Sequence, residues 1–311
     1  MTDNKPLVID IDHVTKDYGQ NRGNFDINLQ VHDGECVGIV GENGAGKTTL
    51  LRQIMGFIHS DSGRVKIYHF DAYLDAADTK CYIGYIPGEI NFPDVPTGID
   101  FLHQYGYSLG MKPQDFGYAD SIISRMQLDI RAYPRRMSKG MKQKTAIVAS
   151  MMRKPPILLM DEPSTGLDPL MREELLTLIQ EQKDRGATMI MTSNSIDELE
   201  RVSDRVVLMT QGRIVDSANV SDIKNRPERD FKIEFTNDKD YERFLPLRND
   251  IVRIQPQFNQ VTVRVEKKAL PELLNQLKKF DVKFFTEVPY NLTVYFDERR
   301  KARQKEEVRH G

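Results

Sequence analysis

Gly41-Glu42-Asn43-Gly44-Ala45-Gly46-Lys47-Thr48 is the stretch that decides how the rest of the chain is read. Its spacing is that of the phosphate-binding P-loop, G-x-x-x-x-G-K-[S/T]. Glycines let the backbone fold tightly and turn its N–H groups on phosphate oxygens. Lys47 is then placed to reach the β and γ phosphates, and the Thr48 hydroxyl to hold Mg2+. The run Glu35 to Val40 before the loop reads as a strand, and Thr48 to Phe57 after it carries Leu50, Leu51, Ile54 and Met55 at helical spacing. In that strand–loop–helix setting the positive end of the helix adds to anion binding. Gly41 through Thr48, with Thr49 beside them, are the expected phosphate contacts.

Working outward, the next informative pair is Asp161-Glu162, which directly follows the apolar run Ile157 to Met160. Four apolar residues together suit a parallel strand buried on both faces. A carboxylate at such a strand end can hold Mg2+ through its water shell, which fits Asp161. A second one beside it can take a proton from an attacking water, which fits Glu162. An acidic pair by itself is more often a helix start or a solvated turn; the P-loop is what favours the chemical reading.

Around these motifs, Leu7 to Phe70 reads as short strands and turns interrupted by one helix. Residues 91–152 read as mostly helical, with Pro93 and Pro96 breaking their start. Leu170 to Lys183 is an amphipathic helix, and Thr188 to Thr192 and Val206 to Met209 are further buried strands. This alternation predicts an α/β domain with a largely parallel sheet. The charged, proline-bearing stretch Asn225 to Asp230 is the expected linker. Beyond it come a strand at Phe231, Ile233 and Phe235, a helical stretch at Tyr241 to Leu247, and strands at Ile251 to Ile254 and Val261 to Val265. A helix at Leu270 to Leu277 and a last strand at Leu292 to Phe296 complete a β-α-β-β-α-β order, that of a small ferredoxin-like α+β domain. The expected domains are therefore 1–226 and 229–297, followed by a charged tail, 298–311.

Composition narrows the class. The chain has 311 residues, 39% hydrophobic and 29% charged, with a net charge of −2. That length suggests two domains, and that charge gives no reason to expect nucleic acid as partner. Cys36 and Cys81 look like small buried hydrophobes, so a reducing cytosol is expected. The N-terminus lacks the apolar core of a signal peptide. No run of 18 apolar residues is present to span a bilayer.

Two further stretches point to one family. Met137-Ser138-Lys139-Gly140-Met141, ahead of a helical run, resembles a Leu-Ser-Gly-Gly-Gln signature, with Ser138 and Gly140 matching. Ser164-Thr165-Gly166-Leu167-Asp168-Pro169 looks like the D-loop that follows it. Taken with the P-loop and Asp161-Glu162, in this order from about Leu7 to Ile223, the chain resembles the ATP-binding subunits of ABC transporters. The C-terminal domain is similar to the accessory domain of some export-type members, where it stabilises the dimer, regulates, or is a passive appendage.

The resemblance implies a P-loop NTPase of the ABC type with a helical subdomain, binding ATP and Mg2+. Two copies, or this chain and a paralogous ATPase subunit, would sandwich ATP between one P-loop and the other's Ser138, Lys139, Gly140 and Met141. Asp168 would lie along the dimer seam and Tyr18 would stack on adenine. A separate transmembrane permease would provide the pore, leaving this chain cytoplasmic and peripheral on the inner face of the cell membrane. Ser138 also suits a helix N-cap.

Two positions depart from the family pattern. Tyr85-Ile86-Pro87 is followed by Gly88 and Glu89 where a Mg2+-touching Gln is usual. Either Glu89 replaces it as a metal ligand after a one-residue shift, or the hinge carries no ligand. Asn194 stands where the family has a γ-phosphate-contacting His, and an amide supplies neither that charge nor that proton transfer. Slow hydrolysis follows as an expectation. The alternative reading is a nucleotide-gated regulatory module that hydrolyses little. An ABC-type ATPase acting on DNA or ribosomes fits less well, because the chain has one ATPase domain and no basic surplus.

Overall fold

The apolar run ahead of Asp161 forms a strand in which all five residues, Ile157 to Asp161, are buried. Residues without a polar face need cover on both sides, and a parallel sheet between layers supplies it. The computed structural model describes residues 5–300. Among them the strands are β1 Leu7–Asp17, β2 Gly23–His32, β3 Cys36–Val40, β4 Ser62–Ile67, β5 Phe70–Asp71, β6 Ile83–Ile86 and β7 Ile157–Asp161. The rest are β8 Thr188–Ser193, β9 Arg205–Thr210, β10 Arg213–Asn219, β11 Glu228–Phe235, β12 Ile251–Gln255, β13 Gln260–Glu266 and β14 Val282–Val288.

Two sheets build the first unit, which ends at Asn219. One runs β10-β9-β3-β8-β7-β6, parallel except for the hairpin partner β10. The other, β2-β1-β4-β5, is antiparallel. The helix Lys47–Ile54 shares a core with both: Leu50, Leu51 and Ile54 are fully buried in one cluster with Ile9 and Ile11 of β1 and Ile39 of β3. Truncating any of these to Ala costs about 2–5 kcal/mol. Since Lys47 opens that helix, core packing holds the phosphate loop in place. The helix is shorter than the spacing suggested, because Gly56 turns the chain at φ 64°. The stretch expected to be helical contains Gly98–Ser108, Gly117–Arg125 and Lys139–Met151.

The second unit begins at Val220, ahead of the expected linker, and Glu228 to Asp230 of that linker already belong to β11. Its strands pair antiparallel in the order β12-β13-β11-β14, with helices Asp238–Phe244 and Leu270–Leu277 in the connections. Phe231, Ile233 and Phe235 meet Val261, Val263 and Val265 in its core. The last strand is not Leu292 to Phe296: β14 takes its place, and residues 292–300 are helical. The reason is periodicity, since Leu292 and Phe296, both buried, stand four residues apart and share a helix face. Of the expected tail, 298–300 continue this helix and 301–311 lie outside the described residues.

Candidate functional site

β3 feeds the loop 41–46, and Gly46 closes it in the left-handed region at φ 100° immediately before the helix. A Cβ there would be strained by conformation and would lie 2.2 Å from the Asn24 side-chain amide. The loop lines a cleft of about 270 Å3 together with Tyr18, Arg22, Gly23, Lys47, Thr48, Thr49 and Glu162. Tyr18 stands at its rim, half exposed, with Lys16 Nζ 5.8 Å from its ring centre.

Lys47 is the charged centre of the cleft. Its ammonium is buried and donates to Gly41 O at 2.6 Å, Glu42 O at 3.2 Å and Asn194 Oδ1 at 2.9 Å. Glu162 Oε1 lies 3.6 Å away. Asn194 also donates from Nδ2 to Asn43 Oδ1 at 3.2 Å, so its amide bridges the helix lysine and the loop.

Asp161 and Glu162 end β7 differently. Asp161 is 1% exposed, and its Oδ1 accepts from Thr192 Oγ1 at 2.7 Å. Its Oδ2 is buried without a hydrogen-bond partner. An orphaned buried carboxylate oxygen calls for a cation or water, so the residues present fit Mg2+. Glu162 turns out of the strand in the left-handed region, at φ 48°, which aims its carboxylate into the cleft. Its N–H is anchored on Thr192, donating to O and Oγ1, both at 3.1 Å.

The signature segment lies outside this cleft's lining. Ser138 caps the helix Lys139–Met151, accepting from Met141 N at 3.2 Å. A Cβ on Gly140 would come within 2.8 Å of Gly166 O, and one on Gly166 within 3.1 Å of Lys139 Cγ. These two segments therefore touch closely within one chain. Gln143, on the same helix, donates to Pro163 O at 2.9 Å. Asp168 caps the helix Pro169–Asp184 by accepting from Met171 N at 3.0 Å.

Other expectations separate. Glu89 is exposed and does not line the cleft. Cys81 is exposed and donates to Asp78 O at 2.7 Å, a correction to its expected burial. A short turn rather than a strand carries Cys81, which puts its side chain on the surface. Cys36 is buried in β3, and burial pushes its thiol up to about 12. The sequence reading missed Thr192, which positions both acids, and Arg22 and Gly23 of the cleft wall. It also missed Glu198, whose Oε2 accepts from Ser164 Oγ at 2.9 Å and Ser193 Oγ at 3.1 Å. Thr192 stands in an apolar strand pattern, where nothing local distinguishes its hydroxyl from a packing choice.

The chain is similar to known proteins in sequence and fold. Residues 25–165 match the ABC transporter family. An uncharacterized ABC transporter ATP-binding protein of Methanocaldococcus jannaschii is 30% identical over 69% of this chain and 79% of its own. The linearmycin resistance ATP-binding protein LnrL of Bacillus subtilis is 30% identical over 82% of each. A solved ATP-binding subunit of an ABC transporter superposes with a TM-score of 0.65, at 26% identity over 70% of this chain and 92% of that one. Cleft, motif order and relatives agree: the chain belongs to the ATP-binding proteins of ABC transporters, an ATPase family whose cassettes bind ATP and ADP.

Proposed function

We propose that this chain is the ATP-hydrolysing motor of an export transporter whose membrane-spanning permease is a separate chain. It works as a homodimer or with a paralogous ATPase subunit, docked on the inner face of the cell membrane. The observation that carries this reading is the split between two half-sites. Lys47, Thr48 and Glu162 converge on one cleft, whereas Ser138 to Met141 lie outside its lining. In this reading that segment completes the site of a second subunit. The relative whose name includes linearmycin resistance favours export. Among the described residues no helix is long and apolar enough to cross a membrane, in keeping with a separate permease.

In this reading the loop amides and Lys47 grip the β and γ phosphates, and Tyr18 stacks on the base. Glu162 takes a proton from the attacking water as its oxygen bonds to the γ-phosphorus. The bond from that phosphorus to the β-γ bridging oxygen breaks, and ADP leaves. Thr48 and Asp161 would hold Mg2+, which neutralises phosphate charge when bound. Ser138 and Gly140 of the other subunit, at a helix N-terminus, stabilise the charge that develops on the γ-phosphoryl oxygens. Closure on ATP and reopening after hydrolysis then pull on the permease.

Glu162→Gln tests this reading. Hydrolysis should slow by at least two orders of magnitude, and MgATP should double the mass seen by light scattering. Wild-type turnover in this variant would place the base elsewhere, and an unchanged mass would remove the dimer.

A further inference from the structure

Glu198 is a buried carboxylate that takes no part in the cleft lining. It lies in the short helix Ile196–Val202. Its Oε2 accepts from two hydroxyls, Ser164 Oγ at 2.9 Å and Ser193 Oγ at 3.1 Å, and its Oε1 is 3.3 Å from Arg172 Nε. A carboxylate is tolerated in such a place only where donors surround it. Ser164 stands just past Glu162, in a turn where Thr165 N donates to Glu162 O at 3.1 Å. Ser193 ends β8 immediately before Asn194, and its Oγ also accepts from Ser195 N at 3.0 Å. Glu198 N in turn donates to Ser195 Oγ at 3.4 Å. One residue therefore ties the turn that carries Glu162 to both neighbours of Asn194.

We propose that Glu198 is a positioning residue for hydrolysis: it locks the Glu162 turn to the Asn194 turn, so that the two side chains flanking Lys47 keep fixed places. This rests on the reading of Glu162 as the base. Both side chains approach Lys47 Nζ, Glu162 Oε1 at 3.6 Å and Asn194 Oδ1 at 2.9 Å. The sheet does not fix them by itself. The pairing of β7 with β8 ends at Asp161 opposite Thr192, and Ser164 and Asn194 lie beyond it. Glu162, held in the left-handed region at φ 48°, depends on its surroundings to stay there. Glu198 acts on the reaction through Ser164 and Ser193, and a shift of about 1 Å in a reacting group can lower a rate about a hundredfold.

The test is steady-state phosphate release against MgATP concentration, with the melting temperature recorded beside it. Glu198→Ala should lower kcat about tenfold or more and leave KM within about twofold, because Lys47 and the loop amides are untouched. Glu198→Gln should recover most of the rate, since its amide oxygen still accepts from the two hydroxyls. The double variant Ser164→Ala/Ser193→Ala should lose as much as Glu198→Ala. Adding Glu198→Ala to that pair should cost little more, as in residues that act as one unit. Wild-type kcat in Glu198→Ala, equal losses in Glu198→Ala and Glu198→Gln, or losses that multiply across the carboxylate and the serines would overturn the proposal. Should Glu198→Ala fail to fold, the serine pair decides, and wild-type kcat there would overturn it as well. Glu162→Gln is the control on the underlying reading. Undiminished turnover in that variant would remove the base itself, whereas loss there with none in Glu198→Ala or the serine pair would sink the positioning role alone.

Discussion

Lys47 Nζ donates to Asn194 Oδ1 at 2.9 Å, joining the first turn of the helix after the phosphate loop to the end of β8. The same amide donates to Asn43 Oδ1 at 3.2 Å. Asn194 therefore sets a neutral amide against the lysine and the loop at once. An ATP that draws Lys47 to its phosphates has to compete with this contact, and nothing cationic stands in the amide's place to meet the developing charge.

Asn194→His should speed steady-state phosphate release. One well-placed donor to a transition-state oxygen is worth on the order of 3 kcal/mol, about a hundredfold in rate, which bounds the gain. Nucleotide affinity should change little, because the P-loop contacts remain. Turnover that stays level or drops would mean that the amide already does the histidine's work.

Lys47→Ala should lose most MgATP affinity in a fluorescent-nucleotide titration. The ammonium is the buried cation of the cleft, and a charge-assisted hydrogen bond contributes about 1.5–3 kcal/mol, tenfold or more in affinity. The variant also leaves Gly41 O and Asn194 without a donor, so its melting temperature should be recorded beside the titration. Equal affinity in a folded variant would remove the assignment of this loop.

The two thiols should behave oppositely. Cys36 is buried with its thiol pushed up to about 12, whereas Cys81 is exposed. The thiolate is the reactive form. Native protein at pH 8 should therefore take up one equivalent of Ellman's reagent quickly and the second only in denaturant. Two fast equivalents would show that β3 opens readily.

A chain ended at Asn219 should still bind ATP. Every residue of the cleft precedes that point, and the second unit has its own core around Phe231, Ile233 and Val263. The measurement is the same titration, with circular dichroism to show folding. A folded fragment that fails to bind would mean the second unit completes the site.

Much of this protein follows from short-range sequence. Gly41 to Thr48 specify their own turn, because glycine's backbone freedom and the lysine's charge act within eight residues. Ile157 to Met160 specify a buried strand, and Asp161-Glu162 mark its end, because hydrophobicity and strand period are local properties. The helix cap at Ser138 was legible for the same reason, whereas that at Asp168 emerged only in the structure. The last strand was not, since Leu292 to Phe296 carries a pattern that suits either element and packing chose the helix.

What only tertiary structure decided are relationships between segments that share no local signal. Thr192 holds Asp161 at the end of β7 and Glu162 just after it, Asn194 meets Lys47, and Gly88 lies against Asp161, each across strands brought together by the parallel sheet. A sequence lists the donors, acceptors and missing side chains. Which of them meet depends on register and strand order, which are set by burying β3, β7 and β8 side by side, tens of residues apart in the chain.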